Sequence, residues 1–191
     1  MNAVEAVKTD TQREQVEQHL SEAGQIYIDV WKFGINTALR ISDLLAIHMA
    51  DVASLDLDNP TLKLCEIKTG KTRIIELNAG AMEVVQRRYA ENPAHEWLFQ
   101  SHRPRGGQRD PKPITRRSVA RVFEAVGGKV RPRVQLSTHS MRKTRGYALH
   151  SAGMRIEAIC KILNHSHPAV TMAYIGLDNE MVQKSYKDLV L

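Results

Sequence analysis

The sequence predicts an α+β fold, mainly α-helical, with a small antiparallel β-sheet. Two observations carry that expectation. Apolar residues recur at helical spacing along most of the chain. The clearest case is Ile156, Ile159, Cys160 and Leu163, the i, i+3, i+4, i+7 pattern of an amphipathic helix. One place reads as strands instead: Leu62 to Ile67 and Arg73 to Leu77, joined by Lys68-Thr69-Gly70-Lys71-Thr72, where Gly70 suits a hairpin turn. At 191 residues the chain is long enough for one domain with a full core. It shows no internal repeat, low-complexity tract or interdomain linker.

Taken in order, a polar start leads to a first helix over Thr11 to Leu20. Thr11 and Glu14 have the spacing of a capping box, and Asp10 is an alternative cap one residue earlier. Gly24 breaks that helix, and Ile26, Val30, Phe33 and Gly34 continue as a mostly buried helix to about Ala38. Ser42 is the expected cap of the next helix, with Asp43 near its positive end and Leu44, Leu45 and Ile47 facing a core. Arg40 is left in the turn before that cap, free to point into a cleft. After the break at Asn59-Pro60 and the hairpin, a helix resumes from Ala79 to Tyr89, and Trp97-Leu98-Phe99 forms a short apolar anchor. His102 to Pro113 is a loop rich in Pro, Gly and Arg, read as a solvated connection or as a phosphate-contacting loop. Thr115 to Ala125 is a helix carrying Arg116, Arg117 and Arg121, ended by Gly127-Gly128, and Lys129-Val130-Arg131-Pro132-Arg133 adds a basic linker. His139 to Ala152 reads as a helix with Met141, Ala148 and Ala152 on its apolar face, ended by Gly153. Pro168 suits the first turn of a last helix, capped by Ser166 or His167.

Composition narrows the function class. Hydrophobic residues make up 42% and charged ones 25%, ordinary for a globular protein. Lys and Arg number 27 against 21 Asp and Glu, a net charge of +6, which is consistent with a polyanionic partner. Cys65 and Cys160 stand in no metal or redox spacing and read as buried thiols in a reducing compartment. No apolar run approaches membrane-spanning length and the polar first twenty residues are no signal peptide, so a soluble, cytoplasmic protein is expected, with no membrane partner.

The chemistry-bearing residues gather late in the chain. His139 and Arg142 lie three apart, on one face of a helix. Asn164-His165 and Tyr174 follow, delivered by the next short helices to what reads as one site. A guanidinium forks onto a phosphate, histidine donates a hydrogen bond or moves a proton near neutral pH, and tyrosine is an oxygen nucleophile once deprotonated. The combination suggests attack of a tyrosine on a phosphodiester with no metal and no nucleotide cofactor. A zinc site from His139, His165 and His167 is disfavoured, because their spacing matches no usual zinc motif.

Arg40 within Thr37-Ala38-Leu39-Arg40-Ile41-Ser42-Asp43-Leu44-Leu45, then a lysine-bearing hairpin, His139-Ser140-Met141-Arg142, His165, and Tyr174 nine residues later resemble the ordered signature of the tyrosine recombinase (phage integrase) family. The resemblance covers about Thr11 to Tyr174 and implies that family's catalytic-domain fold over residues 1–191, without the N-terminal clamp domain that most members carry. It implies a site-specific DNA recombinase or integrase that cuts and rejoins strands of double-stranded DNA through a 3′-phosphotyrosyl intermediate. Residue by residue, Arg40 and Arg142 match the arginines that hold the scissile phosphate. Lys68, with Lys71 as a second candidate, matches the lysine that protonates the leaving 5′-hydroxyl. His139 matches the histidine of acid/base work, His165 the phosphate-bonding histidine, Tyr174 the nucleophile and Asp43 a supporting acidic position. The family often has Gly where this chain has Ala38 and Asn164. A tail helix over 179–191 either folds back on its own core or docks on a neighbouring copy in a tetramer on DNA, as the resemblance implies. The alternatives are a type IB topoisomerase-like nicking-closing enzyme and a DNA-binding regulator that does not use the site.

Overall fold

The computed structural model describes residues 4–101, 110–177 and 186–188. Helix α1 (Asp10–Ala23) is capped by neither residue expected: Thr9 takes that place, its hydroxyl accepting the Gln12 amide at 3.2 Å. Gly24 separates it from α2 (Gln25–Thr37), the central buried helix, and Ala38 ends α2 in the left-handed region at φ 53°. Short helices α3 (Ile41–Leu45) and α4 (Met49–Ala53) follow. Arg40, not Ser42, occupies the cap position of α3, so its own backbone turns the chain while its side chain points elsewhere.

Strands β1 (Thr61–Cys65) and β2 (Thr72–Glu76) pair antiparallel, Thr61 opposite Glu76 and Cys65 opposite Thr72. They form the small sheet expected, with β1 ending two residues earlier at the turn, at Cys65, and β2 starting one residue earlier, at Thr72. Strand parity turns Cys65 outward with Lys63, so that thiol is exposed rather than buried, while Leu62 and Glu66 are buried. Then come α5 (Ala79–Glu91), capped by Asn78, and the Trp97-Leu98-Phe99 anchor. There Trp97 bridges to His48 and both Leu98 and Phe99 are fully buried.

Helix α6 (Arg116–Lys129) is capped by the Thr115 hydroxyl and runs through Gly127-Gly128 instead of stopping there. Two glycines cost a helix about 2 kcal/mol relative to alanines; the burial of Phe123, Val126 and Gly127 on that face offsets this. Helices α7 (Ser140–Ser151), α8 (Ile156–Ile162) and α9 (Pro168–Ile175) complete the described fold. Most of the 102–113 loop and most of the 179–191 tail lie outside the described residues.

Two apolar clusters result. The larger joins α1, α2, α5 and α6, with Trp31 edge-on to Phe123 at 5.6 Å and Phe33 edge-on to Phe99 at 5.7 Å. The smaller gathers Ala38, Ile159, Leu163, Ile175 and Leu177. Helix α7 lies between them, and two glycines allow it. A Cβ on Gly34 of α2 would sit 2.2 Å from the Met141 sulfur, and one on Gly146 would meet Ile175 of α9 at 2.7 Å. The buried stripe of α7 is Ser140, Met141, Arg142, Thr144 and Gly146, while Ala148 and Ala152 are exposed. An arginine displaces the expected alanines from the inner face because backbone acceptors converge on it.

Candidate active site

Arg142 is 2% exposed. Its guanidinium donates to the carbonyls of Ala38 and Leu163, tying the end of α2 to the end of α8. A buried cation without partners costs several kcal/mol, so these acceptors fix both loops around it. The residues at the two ends, Ala38 and Asn164, are the two non-glycine residues with positive φ among those described, at 53° and 48°. The left-handed backbone at both positions is the conformation that glycine adopts most readily, which fits the glycine that the family resemblance implies there. The Ala38 carbonyl meets Arg142 from one such turn, and the Leu163 carbonyl meets it from the residue just before the other.

Helix α9 then brings Tyr174 over this centre. His167 caps it through Nδ1, 3.2 Å from the Ala169 amide, and Pro168 fills its first turn. The Tyr174 hydroxyl lies 3.5 Å from His139 Nδ1 and within the field of the Arg142 guanidinium. Burial, the largest influence, pushes the phenol above its ordinary pKa, while the charges of Arg142 and Arg40 pull it back. His139 stands at the cap position of α7 with a neutral-leaning ring. Desolvation and the cations Arg116, Arg142, Lys143 and Arg40 hold its pKa below 6.5. At neutral pH it can therefore accept the proton that Tyr174 must lose.

His165 meets the Tyr174 ring edge-on at 4.9 Å. Its pKa is lowered to about 4 by burial and by Arg142 and Arg40, so the imidazole is neutral near pH 7. Nδ1 lies 3.0 Å from the hydroxyl of Thr171, itself fully buried, which steers the ring and leaves Nε2 for a ligand. Lys143 Nζ sits 5.1 Å from the centre of the Tyr174 ring and donates to the Val4 carbonyl at 2.7 Å, holding the N-terminal segment beside the site.

Arg40 reaches the same centre from the α2–α3 turn, held by Glu66 at 2.8 Å. Glu66 is 1% exposed, and it also pairs with Arg73 at 3.2 Å and accepts hydrogen bonds from Asn164 at 2.6 Å and Thr69 at 2.8 Å. Burial alone would raise its pKa; the hydrogen bonds from Thr69 and Asn164 and the charge of Arg40 outweigh it and bring the carboxyl down to about 2. Asp43 is buried too, and its carboxylate accepts the Ile67 amide at 2.9 Å, anchoring the hairpin turn to α3.

Arg40, His139, Arg142, His165 and Tyr174 are thus brought together. Lys68 is not: it is exposed on the hairpin turn, and no hydrogen bond or ion pair holds it among the described residues. Lys71, also exposed, lines a cleft of about 550 Å³ behind the site with Arg73, Arg145 and Lys161. Glu66, Arg73 and Thr171 are site residues that periodicity by itself did not single out. Strand parity offered a signal for Glu66, since it continues the inward series of Leu62 and Leu64, where a carboxylate requires a cation.

Residues 9–181 match the phage integrase family. A probable integrase/recombinase of Bacillus subtilis, YoeC, is 32% identical over 98% of this chain and 97% of its own length. The chain spans about half the length of the other curated relatives it matches, an Acholeplasma phage L2 integrase/recombinase and two XerC tyrosine recombinases. Among solved structures, the XerA recombinase superposes with a TM-score of 0.72 at 16% identity, covering 98% of this chain and 65% of that one. The Tn1549 transposon integrase, solved with a circular-intermediate DNA, gives 0.68 at 21% identity over 91% of this chain and 62% of its own. These likenesses show a shared fold.

Proposed function

Because this chain belongs to the phage integrase family, we propose that it is a tyrosine-type site-specific DNA recombinase that cuts and rejoins double-stranded DNA without a cofactor. The observation that carries the reading is the placement of the Tyr174 hydroxyl, 3.5 Å from His139 Nδ1 and beside the charge of the buried Arg142. A nucleophile, its base and a phosphate-binding cation share one point.

In the proposed reaction Tyr174 attacks the scissile phosphorus and passes its proton to His139. Arg40, Arg142 and the Nε2–H of His165 stabilise the charge on the non-bridging oxygens as the phosphorane forms, the contribution that is usually largest in such reactions. The bond to the 5′-oxygen breaks, and that oxygen takes a proton from Lys68 or Lys71. The product is a 3′-phosphotyrosyl ester and a free 5′-hydroxyl. Attack by another strand's 5′-hydroxyl runs the same steps backward, so the bond energy is kept and no nucleotide is hydrolysed. The net positive charge supports a DNA partner, as does the fold shared with an integrase solved on DNA. We take the working assembly to be a tetramer on DNA, in the cytoplasm; no described helix is long and apolar enough to cross a membrane.

The test is incubation with a nicked duplex spanning the presumptive crossover site, on which a short leaving strand diffuses away and traps the intermediate. A covalent protein–DNA band that disappears in Tyr174→Phe is expected. An adduct that persists in that variant sinks the assignment. Relaxation of supercoiled DNA with no strand exchange would favour the topoisomerase-like alternative, and binding without any adduct the regulator.

A further inference from the structure

Three guanidinium groups, from Arg40, Arg73 and Arg142, converge on the end of α2, and their charges act on one another. Like charges this close repel by several kcal/mol when water is partly excluded. Among the described residues, the carboxylate ion-paired within this group is Glu66. It ties three segments around the site together: the α2–α3 turn through Arg40, its own hairpin through Thr69 and Arg73, and the α8–α9 loop through Asn164. Its side chain is 1% exposed against 17% for Arg40, so the arginine alone has an open side.

We propose that Glu66 is a positioning residue that aims Arg40 at the scissile phosphate, a role that rests on the recombinase reading above. The ion pair runs through one guanidinium nitrogen, Nη1, and leaves the other N–H groups of Arg40 for a ligand on its open side. Held in this way, Arg40 loses little side-chain freedom when the phosphate arrives. The carboxylate is walled off behind Arg40, so it is not itself presented to the DNA.

The test is a double-mutant cycle read by single-turnover cleavage of the nicked duplex, with DNA affinity and thermal melting measured alongside. Glu66→Gln keeps the shape and an acceptor for Asn164 and removes the charge that holds Arg40. It should slow cleavage about 10²-fold and change the dissociation constant less than about 3-fold. Arg40→Ala should be at least as slow, and the double variant no slower than Arg40→Ala alone, because Glu66 has nothing left to aim. Multiplicative losses in the double variant, or full-rate cleavage by Glu66→Gln, overturn the proposal. Should Glu66→Gln not fold, Glu66→Asp, which keeps the charge but sets it one methylene further from Arg40, enters the same cycle with the same outcomes. A wild-type chain that makes no adduct overturns the recombinase reading and this role with it; an active wild type beside an unimpaired Glu66 variant overturns this role alone.

Discussion

Arg73 and Arg142 stitch the same two loops together one residue apart. Arg73 donates to the carbonyls of Thr37 at 3.2 Å and Ile162 at 2.8 Å, and Arg142 donates to those of Ala38 and Leu163. The end of α2 and the end of α8 are therefore closed by two parallel guanidinium bridges. Arg142 faces Tyr174 and Arg73 faces the cleft behind it. Arg142, proposed to bind the phosphate, is thus held in place by backbone groups, with Arg73 backing it.

That arrangement makes the strained backbone testable. Asn164 holds φ 48° and bonds Glu66. Glycine there loses the hydrogen bond and fits the conformation, whereas alanine loses the bond and adds the left-handed penalty of roughly 1 kcal/mol. Urea unfolding should place Asn164→Ala about 1 kcal/mol below Asn164→Gly. Equal stabilities would mean that the loop relaxes out of the left-handed region.

The histidines predict a pH profile. His139 must be neutral to accept the Tyr174 proton, and its pKa is lowered from 6.5, so cleavage should hold steady from about pH 8 down to 6.5 and fall below that. His165 is neutral down to about pH 4 and contributes no limb near neutrality. His139→Gln should cleave about 10²-fold more slowly and lose the upper acid limb. A limb unchanged in that variant would assign the base elsewhere. The same shifts have a sign for stability. Both folded-state pKa values lie below the unfolded one, so both groups stabilise the fold fully above pH 6.5. The contribution of His165 is lost as pH falls from there to about 4.

Lys68 is the assignment that the fold leaves most open. The turn carrying it is pinned at its base, where the Glu66 carbonyl accepts the amides of Thr69 and Gly70 at 3.3 and 2.8 Å, while the Lys68 side chain is exposed. A leaving-group acid on such a turn has to reach the phosphate from outside. Lys68→Ala should slow cleavage about 10²-fold or more for an ordinary 5′-oxygen and much less for a 5′-thio leaving group, which departs with little protonation. Equal slowing of both substrates would pass the role to Lys71.

By itself the sequence determined the longer helices and the hairpin but not the short α4, because 3.6- and 2-residue periodicities are local properties of the chain. It also determined the residue types of the site and their order, from Arg40 to Tyr174. It could not tell a cap at Thr9 from one at Asp10 or Thr11, since all three offer an oxygen one residue apart. Nor could it see the helix pass through Gly127-Gly128, where burial outweighs propensity. Only the tertiary structure decided that Arg142 turns inward and Ala148 outward, and that Tyr174 faces His139 Nδ1. It alone made Glu66 the counter-charge of Arg40 and Arg73 and left Lys68 at the rim. The physical reason is that a buried charge is stable only where its partners converge. Here one of the two carbonyls that receive Arg142, that of Ala38, lies 104 residues away along the chain, and the amide of Asn164 that binds Glu66 lies 98 away. Spacing along the chain holds no record of those meetings; close packing at Gly34 and Gly146 brings them about.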